Sequence, residues 1–328
     1  MNGSNIYEVK YNGNEICLIK CNGSVLWENY ITLIDYEVFE ITEIDSKFKP
    51  IMPWFGENIT LDNILVEEEI LAENVTYGSR YPDGPSVTID RVGTFYRRKI
   101  KSREEPTSIR IASNKNHETN SYGGIDVANY YTKIYELCDF RDVTEAPSAF
   151  YNLKNNYSFN NYNFDFLSDK SFRKAQGNLS NLFSRSCITD SELAKMTGFM
   201  SKITGRVECD CSSMFLNCTN LTNIPNIWGK MLPTNMMMIF MVCTNLTTVD
   251  LSDLDLSNCT SQANMFNSCT KLTTLRLDNC SKDTISKIIT NSGLPAHDAF
   301  SSGHYIYCKR ANATDLVPPQ GWRFTYID

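Results

Sequence analysis

The chain has 328 residues, 42% of them hydrophobic and 21% charged, with a formal net charge of −7. That length accommodates two domains or one elongated array with a cap, and the apolar share is that of a folded protein. The acidic balance excludes a basic nucleic-acid footprint, and no run is long and apolar enough to span a bilayer, so neither nucleic acid nor membrane insertion is expected.

Residues 1–29 read as a small β-meander. Ile6 to Tyr11 alternates, Asn12-Gly13 turns, Glu15 to Lys20 forms a second strand, and Asn22-Gly23 turns again before Ser24-Val25-Leu26-Trp27. Asn-Gly between alternating runs is the strongest short-range hairpin signal. Three such strands are too few to stand alone and must dock on something. The stretch resembles segments near the N-termini of phage minor structural and tail proteins, and the resemblance implies attachment to other virion proteins. Met1 to Asn5 has neither the basic start nor the apolar core of a signal peptide. The expected product is therefore made in a host cytoplasm and carried out on a virion.

Residues 30–128 alternate between strand patterns and Pro/Gly punctuation, which predicts a β-sandwich-like domain. Strands are expected at Ile31–Glu43, Val87–Arg91, Thr94–Ile100 and Thr107–Ala112, with turns at Pro82-Asp83-Gly84-Pro85 and Tyr122-Gly123-Gly124. The run Val66-Glu67-Glu68-Glu69-Ile70 is expected as a short helix or a solvated edge. The basic run Arg97-Arg98-Lys99, Lys101 and Arg103 reads as a solvated strand edge.

From residue 129 to 328 the sequence repeats itself. Met214-Phe215-Leu216-Asn217-Cys218-Thr219-Asn220-Leu221-Thr222 returns as Ile239 to Thr247 and as Met265 to Thr273. Phe215, Phe240 and Phe266 are spaced 25 and 26 residues apart, a period that means stacked units burying their apolar faces on one another. Leu246, Val249, Leu251, Leu254 and Leu256 close on Cys259, and Leu272, Leu275 and Leu277 close on Cys280. This is a leucine-rich repeat pattern, with a strand and a helical or 3₁₀ segment per unit, and Met265-Phe266 lies on a stretch that could form about a turn or two of helix. Phe150 and Phe183 are expected to mark earlier, degenerate units. Ile285, Ile288 and Ile289 continue helically, and Tyr305–Cys308 and Trp322–Ile327 are expected as the strands of a C-terminal β cap. The expected structural set is Phe215, Cys218, Leu221, Phe240, Cys243, Leu246, Leu251, Phe266, Cys269, Leu272 and Leu277. The fold class is thus mainly β with an α/β solenoid. The repeats resemble the BspA-like family of bacterial and phage leucine-rich repeat proteins, most closely in Leu246-Thr247-Thr248-Val249-Asp250-Leu251-Ser252. That resemblance implies adhesion to a host-surface glycan or protein.

Of the 12 cysteines, Cys218, Cys243 and Cys269 share one repeat position and Cys259 and Cys280 another. They are expected as a reduced, buried ladder rather than as disulfides. No zinc-site spacing, catalytic motif or phosphate-binding loop is present, so no metal, cofactor or enzymatic activity is expected. Asp250, Asp253 and Asp255 read as solvated residues beside repeat strands rather than as calcium ligands. The candidate binding stretch is Asn155 to Phe166, where Tyr157, Phe159, Tyr162 and Phe164 could stack on sugars. The combined expectation is a non-enzymatic, homo-oligomeric virion protein of a tail, fibre or head, adhering through its repeats. The alternatives are a bacterial cell-surface adhesin with the same repeats, or a glycan-cleaving enzyme with two positioned carboxylates in residues 30–128.

Overall fold

A computed structural model describes residues 6–12, 15–21, 24–28, 30–41, 53–80, 88–109, 111, 131–138, 144–151, 164, 166–168, 171–196, 198–296 and 303–328. These are mainly β. Strands β1 (Ile6–Asn12), β2 (Glu15–Cys21) and β3 (Ser24–Glu28) form an antiparallel meander, and the expected turn residues Gly13, Asn22 and Gly23 lie outside the described residues. The expected turns at 82–85 and 122–124 lie outside the described residues.

A second antiparallel sheet is built from β4 (Ile31–Ile41), β5 (Ile64–Arg80), β6 (Thr88–Ser102) and β7 (Tyr131–Leu137), in the order β5-β6-β4-β7. Its β7 takes the sheet past residue 128. Strand β4 is buried on both faces, from Leu33 through Phe39. That burial includes Asp35, whose side chain is 3% exposed and is held by Arg97 through paired bonds of 2.9 and 2.8 Å and by Lys99 at 3.3 Å. Burial alone would raise the Asp35 pKa, but the bonds to Arg97 and Lys99 outweigh it and hold the group below its usual 3.8. Arg98 bridges Glu68 at 2.6 Å and Glu40 at 3.0 Å. The basic run therefore belongs to an interior strand rather than an edge, and its charges are partnered. The acidic run, in contrast, is extended and lies on the edge strand β5.

Two expected strands, Val87–Arg91 (described from Thr88) and Thr94–Ile100, belong to one continuous strand. Gly93 sits between them, where a Cβ would come within 2.5 Å of the Glu40 carbonyl and within 2.6 Å of the Phe39 ring. Glycine there is a close-approach residue and not a break. The expected strand at Thr107–Ala112 is absent at the described residues 107–109 and 111.

The C-terminal region is a stack of units joined by parallel strands. One sheet has β8 (Gly177–Asn178), β9 (Val207–Asp210) and β11 (Met231–Asn235) in the order β11-β9-β8. The other has β10 (Asn223–Ile224), β12 (Thr248–Asp250), β13 (Thr274–Arg276), β14 (Tyr305–Cys308) and β15 (Arg323–Tyr326), in chain order and all parallel. The cap strands β14 and β15 thus extend the repeat sheet. Helices are α1 (Asp190–Lys195) and α2 (Lys282–Asn291).

Between the two sheets each unit makes a turn centred on phenylalanine. Phe150, Phe183, Phe215, Phe240 and Phe266 form a column, with ring centroids 5.3, 5.7, 5.8 and 5.6 Å apart and planes within 17° of parallel. Phe150 and Phe183 share the column of the regular units. Backbone N–H groups on alternate residues reach the next unit: Ser213, Phe215 and Asn217 donate to the carbonyls of Met237, Ile239 and Met241. Intervening residues close turns within their own unit, as from Leu216 to Ser213. A left-handed residue stands on either side of Phe183, Phe215, Phe240 and Phe266, such as Asn264 (φ 57°) and Ser268 (φ 64°) around Phe266, and Ser148 (φ 55°) precedes Phe150 in the same way. Left-handed residues cannot continue a right-handed helix, so Met265-Phe266 is not helical.

The thiols tie the same units. Cys218, Cys243 and Cys269 donate Sγ–H to the carbonyls of Phe183, Phe215 and Phe240 at 2.9, 3.1 and 3.0 Å. All three are buried and free, as are Cys259 and Cys280. Phe215, Leu221, Phe240, Leu246, Leu251, Phe266, Leu272 and Leu277 are buried as well. Asn245 Nδ2 bonds the Thr219 carbonyl, and Thr247 and Thr273 hydroxyls bond the carbonyls of Thr222 and Thr247. The recurring Cys-Thr-Asn-Leu-Thr is therefore a set of contacts from each unit to the preceding one.

Candidate functional site

Strand alternation divides the five-stranded sheet into an inner and an outer face. Val249, Leu275 and Ile306 stand side by side, fully buried. Their neighbours point outward in two rows set by the parallel register. One row is Thr248, Thr274, Tyr305 and Arg323, and the other is Asp250, Arg276, Tyr307 and Thr325. All eight retain solvent exposure.

The second row is organised by Arg276. Its guanidinium bonds Asp278, approaches Asp250 to 3.7 Å, and lies over the Tyr307 ring at 5.6 Å. The Asp278 bond, ahead of the attraction of Asp278 and Asp250, raises the Arg276 pKa above its usual value. Tyr305 and Tyr307 have ring centroids 6.4 Å apart. Beneath Asp250, the buried Trp228 donates its Nε1–H to the Asp250 carbonyl at 2.7 Å, which fixes the backbone of that row. Tyrosine rings offer apolar faces for sugar C–H groups, and threonine, aspartate and arginine offer bonds to hydroxyls.

At the β10 end of the sheet lies a cavity of about 550 Å³, with a floor of Leu193, Met196, Phe199 and Ile227 and a rim that includes Lys230 and Asp253. Its wall is placed by α1. A capping box between Thr189 and Glu192 starts that helix. Asp190 then accepts the backbone N–H groups of Thr222 and Asn223 at 2.8 and 3.1 Å, which clamps the helix onto the open edge of β10. Asp253 accepts amide bonds from Asn226 at 2.5 Å and Asn279 at 3.0 Å. Lys230 makes no side-chain hydrogen bond or ion pair among the described residues and so offers an open cation at the rim.

The aspartates near the repeat strands are engaged rather than merely solvated. Asp250 accepts from the Ser252 backbone at 3.0 Å. Asp255 accepts from the Ser257 backbone at 2.9 Å and pairs with Arg206 at 2.8 Å. The Ser257 bond, ahead of Arg206, holds Asp255 below its usual 3.8. No metal-binding group of three or more His, Cys, Asp or Glu occurs among the described residues.

Of the binding residues expected from sequence, Tyr157, Phe159 and Tyr162 lie outside the described residues. Phe164 is fully buried, 5.7 Å from Phe150 and 5.9 Å from Phe183, with its backbone N–H on Glu192 at 2.7 Å. It is a core residue at the start of the aromatic column and cannot stack on a sugar. Sequence reasoning passed over Tyr305, Tyr307 and Arg276 as outward-facing residues, because Tyr305-Ile306-Tyr307 was assigned to a cap. The available signal was its alternation, which matches Thr274-Leu275-Arg276 one unit earlier.

Compared with known proteins, the chain matches no family model, no curated protein and no solved structure.

Proposed function

We propose that this chain is a non-enzymatic virion protein of a phage, built from an N-terminal attachment meander, a β-sandwich-like spacer and a leucine-rich repeat solenoid. The solenoid adheres to a glycan or protein on the host surface. The observation that carries this reading is the pair of outward rows on the five-stranded sheet. A binding surface that is preformed by stacked units needs no ordering of loops when it engages a ligand. The rows combine two tyrosines with an arginine already oriented by two aspartates, which suits neutral or weakly acidic sugars better than a strongly anionic partner.

The test is binding of purified protein to whole bacterial cells and to a panel of immobilised bacterial surface glycans. Replacing Tyr305 and Tyr307 together by alanine should weaken binding roughly tenfold to a hundredfold, since stacking supplies only a few kcal/mol. The melting temperature of the variant serves as the control for folding. Unchanged binding by a folded variant would remove the sheet face from consideration, and turnover of any glycan in the panel would overturn the non-enzymatic reading.

A further inference from the structure

The edge strand β5 is exposed far beyond what a finished sheet edge requires. Every residue from Leu65 to Asn74 is exposed, including Ile70 at 56% and Leu71 at 43%. Its first seven residues, Ile64 to Ile70, pair with Ser102 to Tyr96 in unbroken register, and a bulge follows at Ala72. Beyond it Asn74 adopts a left-handed φ of 55°. Bulges and charges are how sheet edges avoid unwanted pairing, and here the bulges begin only after a regular seven-residue segment.

That segment has two different faces. Leu65, Glu67 and Glu69 point to one side and Ile64, Val66, Glu68 and Ile70 to the other. Glu67 and Glu68 are engaged by Lys101 and Arg98 of β6, each at 2.6 Å. Glu69 feels the charge of Arg97, its cross-strand partner on β6, without bonding it, and Glu73 makes no hydrogen bond or ion pair among the described residues. A second copy of the chain is a poor occupant. Full antiparallel overlap about a two-fold axis normal to the sheet sets Glu67 against Glu67, with Leu65 against Glu69 and Val66 against Glu68. Like charges directly opposite one another destabilise a sheet.

We propose that the Ile64–Ile70 edge is a docking site for an extended basic strand of a partner protein, which adds to the sheet beside β5. Its cations face Glu67 and Glu69, and its apolar residues face Val66 and Ile70. The backbone ladder supplies attraction and the alternate side chains supply selectivity. This site is separate from the outer face of the repeat sheet and stands or falls without it.

The experiment uses the full chain and a fluorescent heptapeptide of alternating valine and lysine. Two control peptides have glutamate in place of lysine, or the same sequence N-methylated at alternate residues. Fluorescence anisotropy reads binding, and hydrogen exchange reads protection of residues 64–70. The expected result is saturable binding of the lysine peptide, slowed exchange at 64–70, and no binding of either control. Glu69→Lys combined with Glu73→Lys, both at exposed positions, should weaken binding about tenfold or more while leaving the melting temperature unchanged. The proposal is overturned if the lysine peptide does not bind, or if it binds without protecting 64–70. Equal binding of either control overturns it too, as does protection of 64–70 that rises with protein concentration alone, which would mean self-pairing.

Discussion

The four-stranded sheet and the C-terminal stack are held by opposite kinds of contact. In the sheet no important contact occurs twice. Asp35 takes Arg97 and Lys99, Arg98 joins Glu68 to Glu40, and Glu37 accepts the Tyr135 hydroxyl. These contacts converge on β4, so the sheet has a centre. In the stack the same contacts recur: a phenylalanine on the next phenylalanine from Phe150 to Phe266 and, in the units of Phe215, Phe240 and Phe266, a thiol on a carbonyl and an asparagine or threonine on the preceding unit. No unit is a centre, and stability is close to a sum over neighbours. The difference predicts how each region fails.

The largest effect should come from Phe240→Ala. Phe240 is fully buried, stacked between Phe215 and Phe266, and meets the edge of Trp228 at 6.0 Å. Truncation should cost about 3–5 kcal/mol. Because the contacts run only to neighbours, hydrogen exchange should accelerate in the units around Phe215 and Phe266, with β4 to β7 unaffected. Simultaneous acceleration in β4 would erase the contrast between a centred sheet and an additive stack.

A smaller effect separates the two regions by pH. Burial, the leading cause in each case, pushes the Cys269 and Cys280 thiols up to about 12, and raises Cys218 and Cys243 further still. The unfolded thiols titrate near 9 while the folded ones stay protonated. Their contribution is thus complete below pH 9 and is lost as the pH rises from 9 towards 12 and beyond. Asp35 has the opposite sign. Its folded pKa lies below 3.8, so its contribution is complete above that value and is lost as the pH falls through the folded pKa. Burial also raises Tyr36 and Tyr135 of the sheet, with the sign of the thiols, and Asp255 of the stack is lowered with the sign of Asp35. The contrast therefore rests on four buried thiols against two tyrosines and on a buried Asp35 against a half-exposed Asp255. On that balance hydroxyl-radical footprinting across pH should expose Phe240 first in alkali and Phe39 first in acid. Exposure of both rings at the same pH at both extremes would show that the regions do not differ in this way.

What could be read from the sequence follows the same division. The column of Phe215, Phe240 and Phe266 and the thiols of Cys218, Cys243 and Cys269 were legible because each unit imposes the same demand on the same position. Even Phe150 and Phe183, at irregular spacing, could be recognised by their place ahead of the regular units. In the antiparallel sheet nothing repeats, so one strand was read as two, Val87–Arg91 and Thr94–Ile100, although the glycine between them, Gly93, is a close approach to Phe39. The basic run on β6 was read as an edge because strand order is not written in local alternation. The outward row of Asp250, Arg276 and Tyr307 was missed for a related reason: those residues come from three units and become neighbours only through the parallel register. The expected binding residue Phe164 failed because an aromatic-rich stretch has the same composition whether it fills a core or lines a surface.

The smallest predicted effect tests whether equivalent positions in the stack are interchangeable. Val242 has φ 65°, while Arg185, Asn217 and Ser268, two residues after their own phenylalanines, have φ 58°, 57° and 64°. The conformation is required there, because the Val242 and Asn217 N–H groups each donate to a carbonyl of the next unit at 2.8 Å. A β-branched residue is poorly suited to the left-handed region, whereas asparagine adopts it with local side-chain bonding. Val242→Asn should therefore stabilise the protein, by about 0.5–1 kcal/mol once the loss of a half-buried apolar side chain is allowed for. The reciprocal change, Asn217→Val, should destabilise by a similar amount, moving the melting temperature about 2–4 °C the other way. Opposite signs in the pair would show that one backbone demand recurs at each unit and that the residue filling it is free to vary. If both changes destabilise, side-chain packing at each site dominates, and the units are less alike than their shared geometry implies.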